Sequence, residues 1–274
     1  MSTAALPTYS LIQVALDGAV ATVTLHNPER LNAAPPQMFD ELRGACEALP
    51  GLGARAIIVT GAGRAFCSGA DVSNMAKGSE PGAATTSRSA GTFQALSRHY
   101  NPAMLALTQL PVPLITAVNG PAAGIGCSLA LAGDFVVAGQ SAYFLEAFVN
   151  IGLVPDGGAT WMLPRLVGKA RAMQMIMLGE RIGAQQAQDW GMIYKAVPDD
   201  QLMAEAQALA QRLAAGPTRA LGLMRQGLAR ALEQTYAEGL ATEASHQSQA
   251  VQTGDAAEGA RAFVERRKTA FKGE

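Results

Sequence analysis

Two runs of β-branched and other apolar residues in this chain each pass straight into a glycine-rich loop. Ala56-Ile57-Ile58-Val59-Thr60 runs into Gly61-Ala62-Gly63-Arg64-Ala65-Phe66-Cys67-Ser68-Gly69-Ala70-Asp71. Leu114-Ile115-Thr116-Ala117-Val118 runs into Asn119-Gly120-Pro121-Ala122-Ala123-Gly124-Ile125-Gly126, and an apolar helix follows from Cys127. Strands this apolar are covered on both faces, which calls for α/β layering. Read as a strand-to-helix junction, each loop leaves backbone N–H groups unpaired where the helix dipole favours negative charge. Two such junctions meeting at one point would form an oxyanion hole, which suggests acyl chemistry rather than simple binding.

The remaining composition narrows the partners. A formal net charge of −1 over 274 residues gives no nucleic-acid or polyanion surface, so an anionic ligand must be met by local groups. Cys46, Cys67 and Cys127 are odd in number and scattered, which argues against a disulfide framework or a zinc site and for a reducing compartment. Met1 to Pro7 carries no basic segment followed by an apolar one, and no apolar run approaches the ~18–20 residues of a membrane span. A cytoplasmic protein with no metal and no membrane association is expected.

Along the chain, Leu11–Leu16 and Val20–Leu25 read as two strands around Asp17-Gly18, Asn27–Arg30 as a turn, and Pro36–Leu49 as an amphipathic helix. From Ala76 to Thr92 the Gly, Ser, Thr, Ala and Pro content predicts a surface loop covering the site. Gly91–Leu110 is predicted helical, with Pro102 as a kink. Asp134–Ala138 is a strand, Ser141–Phe148 a short strand or turn, and Gly168–Leu178 a helix. After Pro198 the pattern is helical, over Asp200–Ala215, Pro217–Ala231, Leu232–Thr253 and Asp255–Phe271. The organisation expected is therefore residues 1–199 as an α/β body with the site and 200–274 as a helical region.

Several motifs weigh little by themselves. Gly61-Ala62-Gly63 lacks the third glycine of a dinucleotide fingerprint, because Phe66 stands there, and no acidic residue follows at the right distance. Gly126-Cys127-Ser128-Leu129-Ala130 resembles a nucleophile elbow, yet none of His26, His99 and His246 has a carboxylate context to make it a base. Asp156 sits in a Pro-Asp-Gly-Gly turn amid apolar residues, where a turn or N-cap role is the simplest reading. Glu146, between Leu145 and Ala147, reads first as a strand residue facing solvent, with a catalytic role in reserve. Arg266, Arg267, Lys268 and Lys272 read as a solvated helix face, and otherwise as a phosphate contact.

The segment Ala65-Phe66-Cys67-Ser68-Gly69-Ala70-Asp71 resembles the A-F-C-[AS]-G-A-D loop of the crotonase (enoyl-CoA hydratase/isomerase) family. Asn119–Gly126 resembles that family's second glycine-rich loop, and the resemblance runs from about Val20 to Lys272. It implies an α/β, crotonase-like spiral of ββα units with a helical C-terminal trimerisation region, as a homotrimer or a homohexamer built as a dimer of trimers. The ligand implied is an acyl-CoA thioester, with coenzyme A part of the substrate and no separate cofactor. The thioester oxygen would be held by the N–H groups of Ala70 and Ile125. CoA would lie along Ala33, Ala34, Ser68 and Asp71, with Arg30 and Arg266 or Lys268 at its phosphates, the latter two from a neighbouring subunit.

Two departures from the family pattern narrow the reaction. The two glutamates that hydratases use for water fall on Ser128 and Phe148 here, and neither side chain is an acid or base at neutral pH. Family members that isomerise often keep a lone carboxylate at the position of Asp156, and one carboxylate suffices to move a proton from C2 to C4. Tyr100-Asn101-Pro102 and Ile151–Gly158 with Trp161–Arg165 resemble the Δ3,Δ2-enoyl-CoA isomerase and 1,2-epoxyphenylacetyl-CoA isomerase subgroup of phenylacetate catabolism. The expectation is an acyl-CoA isomerase with Asp156 as acid/base. A hydratase, a non-catalytic acyl-CoA binder and a serine hydrolase at Ser128 stand as alternatives.

Overall fold

The computed structural model describes residues 7–71 and 85–274. Strands β1 (Ile12–Asp17) and β2 (Val20–Leu25) form an antiparallel hairpin, and β2 then pairs in parallel with β3 (Ala56–Gly61). β3 is followed in the sheet by β4 (Leu114–Val118), β6 (Phe135–Gly139) and β9 (Lys195–Val197), all parallel, so the six-stranded order is β1-β2-β3-β4-β6-β9. Val23 aligns with Val59, Val59 with Thr116 and Thr116 with Val136. A second, three-stranded sheet joins β5 (Ala122–Ala123), β7 (Tyr143–Leu145) and β8 (Ile182–Gly183).

Every residue of β3 and β4 is buried, as their apolar sequences require. Ile57, Val59 and Leu114 belong to the larger core with α1 (Pro36–Ala48), whose Met38, Phe39 and Leu42 are buried there. Ile58, Ile115 and Val137 face the opposite way, against Leu202, Ala206, Ala210 and Ala214. Those four recur at helical spacing on the helix Leu202–Ala214, so the first helix after residue 200 is part of the body. The helices beyond it, Thr218–Ala231, Tyr236–Ala250 and Gly254–Glu265, bury few side chains within the chain.

Several expected boundaries shift. Of the loop expected over 76–92, residues 76–84 lie outside the described residues, and Thr85–Ala95 is helical (α2). It continues through a π turn, Leu96–Tyr100, into α3 (Asn101–Gln109). Pro102 lacks an N–H and crowds the preceding turn, and the π turn accommodates it. The helix expected from Gly168 starts at Ala159, and Gly168 (φ 77°, ψ 162°) is a break inside it. The stretch Leu232–Thr253 is interrupted where Thr235 and Glu238 form a capping box that starts a new helix at Tyr236. The last helix stops at Glu265, with Arg266 left-handed at φ 54°, so the basic run lies past the helix and not on its face. No helix among the described residues is long and apolar enough to cross a membrane.

Candidate active site

β3 and β4 are neighbouring parallel strands, so the loops that leave them emerge side by side at the same, carboxyl end of the sheet. Side-chain amides stitch them together. The Asn119 side chain accepts from the Gly61 N–H at 3.2 Å and donates to the Gly63 carbonyl at 2.9 Å. Asn32, fully buried, donates to the carbonyls of Ala62 and Ala65 at 2.9 and 2.8 Å. The main chains also meet: Phe66 and Cys67 N–H groups both donate to the Pro121 carbonyl at 3.1 Å, and the Ala123 N–H to the Cys67 carbonyl at 2.9 Å. A Cβ on Gly120 or Gly126 would collide with the carbonyl oxygen of Arg64 or Cys67.

The stitched loops bring Gly69 (φ 107°) and Gly124 (φ 54°) face to face, where a Cβ on either would lie within 4.0 Å of the other's Cα. Each glycine precedes one of the expected donors, Ala70 or Ile125. Among the described residues neither donor's N–H has an acceptor, whereas Ala34 pairs with Ala70 by donating to the Gly69 carbonyl at 2.8 Å. Through Asp71 the first loop forms β-bridges at Cys67 and Ala70, and the helix expected after it falls on residues outside the described ones. The free N–H of Ala70 is thus the outward side of a bridge, and Ile125 opens a helix, α4 (Ile125–Leu131).

Asp156 reaches the same region from the turn before Ala159. The Ser128 hydroxyl donates to the Asp156 carbonyl at 2.9 Å, and a Cβ on Gly157 (φ 60°) would run into Ile125 Cδ1 and lie 2.8 Å from Ser128 Cβ. The turn is therefore pressed against α4, and only glycine fits at 157. The Asp156 carboxyl is half-buried, one of its oxygens is buried without a partner, and desolvation raises its proton affinity to a pKa of about 6. Ser128 meets main chain rather than a histidine, and His99 is held by Asp40 at 2.6 Å, which leaves no nucleophile–base pair at the elbow. Phe148 is buried, and its ring lies 3.6 Å from the position of a Cβ on Gly124.

Glu146 is not the solvent-facing residue its sequence context suggested. It is 0% exposed, with only the Cys127 thiol, among the described residues, as a weak donor beside it, and burial raises its pKa to about 7. The alternation of burial from β7 onward carried this signal, with Tyr143 and Leu145 half-buried and Phe144 and Glu146 buried. Tyr100 also gains a role that only its three-dimensional position reveals. Its hydroxyl donates to the Ala34 carbonyl at 2.9 Å, and its ring packs on Phe39 at 4.7 Å. Burial and the nearby Asp156 charge push its phenol upward.

The residues expected along CoA divide into two groups. Arg30, Ala33, Ala34, Ser68 and Asp71 are together: Arg30 pairs with Asp71 at 2.6 Å, the Ser68 N–H donates to the Leu31 carbonyl at 3.0 Å, and Ala34 bridges Ala70. Arg266 and Lys268 do not join them within one chain. The tail that follows them is tied through the Phe271 carbonyl to Arg55, at the opposite, amino-terminal end of β3.

Comparison with known proteins assigns the family. The chain belongs to the enoyl-CoA hydratase/isomerase (crotonase) family, whose model matches residues 16–274. It is similar to the 1,2-epoxyphenylacetyl-CoA isomerase of Escherichia coli, 40% identical over 259 residues that cover 94% of this chain and 97% of the relative. It is equally similar to a "Probable enoyl-CoA hydratase" of Rhodobacter capsulatus, 41% identical, covering 97% and 99%. The solved enoyl-CoA hydratase of Bacillus anthracis superposes with a TM-score of 0.88 at 30% identity, covering 97% of this chain and 100% of that one. The architecture is the crotonase fold with a helical C-terminal region.

Proposed function

We propose that this member is an acyl-CoA isomerase that moves a double bond, or opens a ring epoxide, next to a CoA thioester. The observation that carries the reading is one partly exposed carboxyl, Asp156, standing beside two free backbone donors, with the other nearby carboxyl, Glu146, fully enclosed, while Ser128 and Phe148 occupy the hydratase glutamate positions. The N–H groups of Ala70 and Ile125 would hold the thioester oxygen, and removing such a donor costs ~3–4 kcal/mol in the transition state. Asp156 takes a proton from C2, the C–H electrons move into the enolate, and the same carboxyl returns the proton to C4. A pKa of about 6 suits both halves of that exchange near neutrality. The Phe148 ring, set over the second loop, keeps water from competing.

CoA itself would run along Arg30, Ala33, Ala34, Ser68 and Asp71. Contact of Arg266 or Lys268 with its phosphates would come from another subunit, as their distance from the loops within one chain suggests. A trimer or a dimer of trimers is supported by the apolar side chains that the C-terminal helices leave exposed, among them Leu228 (73%), Tyr236 and Phe263 (85%). Three buried free cysteines fit a reducing cytoplasm.

Asp156→Asn tests the assignment. Turnover of a 3-enoyl-CoA should fall by about a thousandfold or more while calorimetry still registers acyl-CoA binding. Unchanged turnover would overturn the reading. Because hydratases are also among the relatives, crotonyl-CoA hydration measured beside 3-enoyl-CoA isomerisation decides between the two reactions.

A further inference from the structure

Glu146 is a second carboxyl that the isomerisation just described does not use. Leu145 pairs with Ala123, and its carbonyl accepts the Gly124 N–H at 2.9 Å, so Glu146 follows directly behind the loop that presents the Ile125 donor. It is the N-cap residue of the short 3-10 helix Ala147–Ile151, yet its side chain caps nothing. The carboxyl is instead fully enclosed, and among the described residues the Cys127 thiol is the one donor set against it. The titratable groups set against it are the Cys127 thiol, from the first turn of α4, and Asp156, from the turn before Ala159. Among the described residues no cation stands with them to balance a charge there.

A buried acid whose one neighbouring donor is a weak thiol, that of Cys127, holds its proton more tightly than one in water, because desolvation outweighs that donor, and its cost as an anion grows with each neighbouring negative charge. We propose that Glu146 is a positioning residue of this site: as the neutral acid it keeps the space behind the second glycine loop uncharged, so that one negative charge can pass between Asp156 and the thioester oxygen. This rests on the isomerase reading. Ionised, Glu146 would set a second negative charge behind the oxyanion donors and oppose the enolate. Asp156, the more exposed of the two, ionises first, and its charge then holds the proton on Glu146. Cys127 adds no charge, since burial and Glu146 push its thiol well above the usual range.

The test is the pH profile of kcat for the wild type and Glu146→Gln, which fixes the neutral form at equal volume. The wild type should give a bell, with an acid limb from Asp156 and an alkaline limb from Glu146. Past its optimum it should lose about tenfold per pH unit. Glu146→Gln should keep the acid limb and lose the alkaline one; a folded variant that retains both limbs overturns the proposal. A merely structural glutamate would leave the profile in place. Should Glu146→Gln not fold, infrared titration of Asp156→Asn gives the answer without turnover. One buried protonated carboxyl band should persist at pH 6, and its absence there overturns the proposal. Active Asp156→Asn enzyme would instead sink the isomerase reading, so the two failures are distinguishable.

Discussion

Replacing Gly126 by alanine tests whether the contact between the two loops sets the geometry of the donors. The added methyl would lie 2.8 Å from Cys67 Cβ and 2.9 Å from the Cys67 carbonyl carbon, and closer still to that carbonyl's oxygen. Ordinary contact begins at 3.4 Å, so the second loop must retreat from the first by about 0.6 Å to clear the side chain, and by roughly 1 Å to clear the oxygen. Cys67 cannot yield easily, because its N–H and carbonyl are both engaged by the second loop, at Pro121 and Ala123. Overpacking of this kind costs about 1–3 kcal/mol of stability. The larger effect falls on the reaction. Ile125 is the next residue back along the chain, and displacing a reacting geometry by ~1 Å typically costs about a hundredfold in rate. Steady-state isomerisation and C2 proton exchange in deuterated water should therefore fall together by roughly 10²-fold. Gly44→Ala serves as the control, since it lies in α1 with nothing within 4 Å of the new methyl. It should raise helix stability by about 0.5–1 kcal/mol and leave turnover alone. Folded Gly126→Ala enzyme with kcat within about twofold of wild type would refute the argument that this contact places the donors.

Three further outcomes are expected. Glu146 and Asp156 both have pKa values above their unfolded values of 4.5 and 3.8, so the folded state binds more protons between about pH 4 and 7. Stability should then be full below the unfolded values and fall as pH rises through the folded ones. Denaturation midpoints of wild type should drop relative to Glu146→Gln by the equivalent of about 3 kcal/mol over that window. Arg225, almost enclosed, donates to Asp134 and to the carbonyls of Leu107, Thr108 and Leu110. Arg225→Ala strands that carboxylate and should lower urea stability by about 3–5 kcal/mol. Ser128→Ala removes one neutral hydrogen bond, for about 1 kcal/mol, and should leave an active enzyme; complete loss of turnover with the fold intact would reopen a nucleophilic role for the serine.

The features that depend on burial alone were legible in the sequence. β3 and β4 are apolar at nearly every position, and their loops could be placed from glycine spacing because backbone there approaches backbone. Glu146 was not legible, because a charged residue beside a short strand reads as exposed while its neighbours here bury it with Phe144. The helix from Thr85 was hidden by its Gly, Ser and Thr content, for its propensity is poor and its continuation past Leu96 supplies what the local sequence lacks. Arg266 and Lys268 showed the limit of linear reading: a basic run states its charge but not which end of the sheet its chain returns to. Asn32, whose amide ties two carbonyls of the first loop, gave no pattern by which it could be found.

The bond from Ser128 to the Asp156 carbonyl, together with Gly157 pressed on α4, has a consequence for how this family diversifies. A glutamate at position 128 and the present Asp156 turn would need the same volume. Ser128→Glu could not simply add hydration here, because the longer side chain would first evict the turn that carries Asp156. Two reaction plans on one scaffold are then competing solid shapes, and a lineage moving between them must exchange several residues at once.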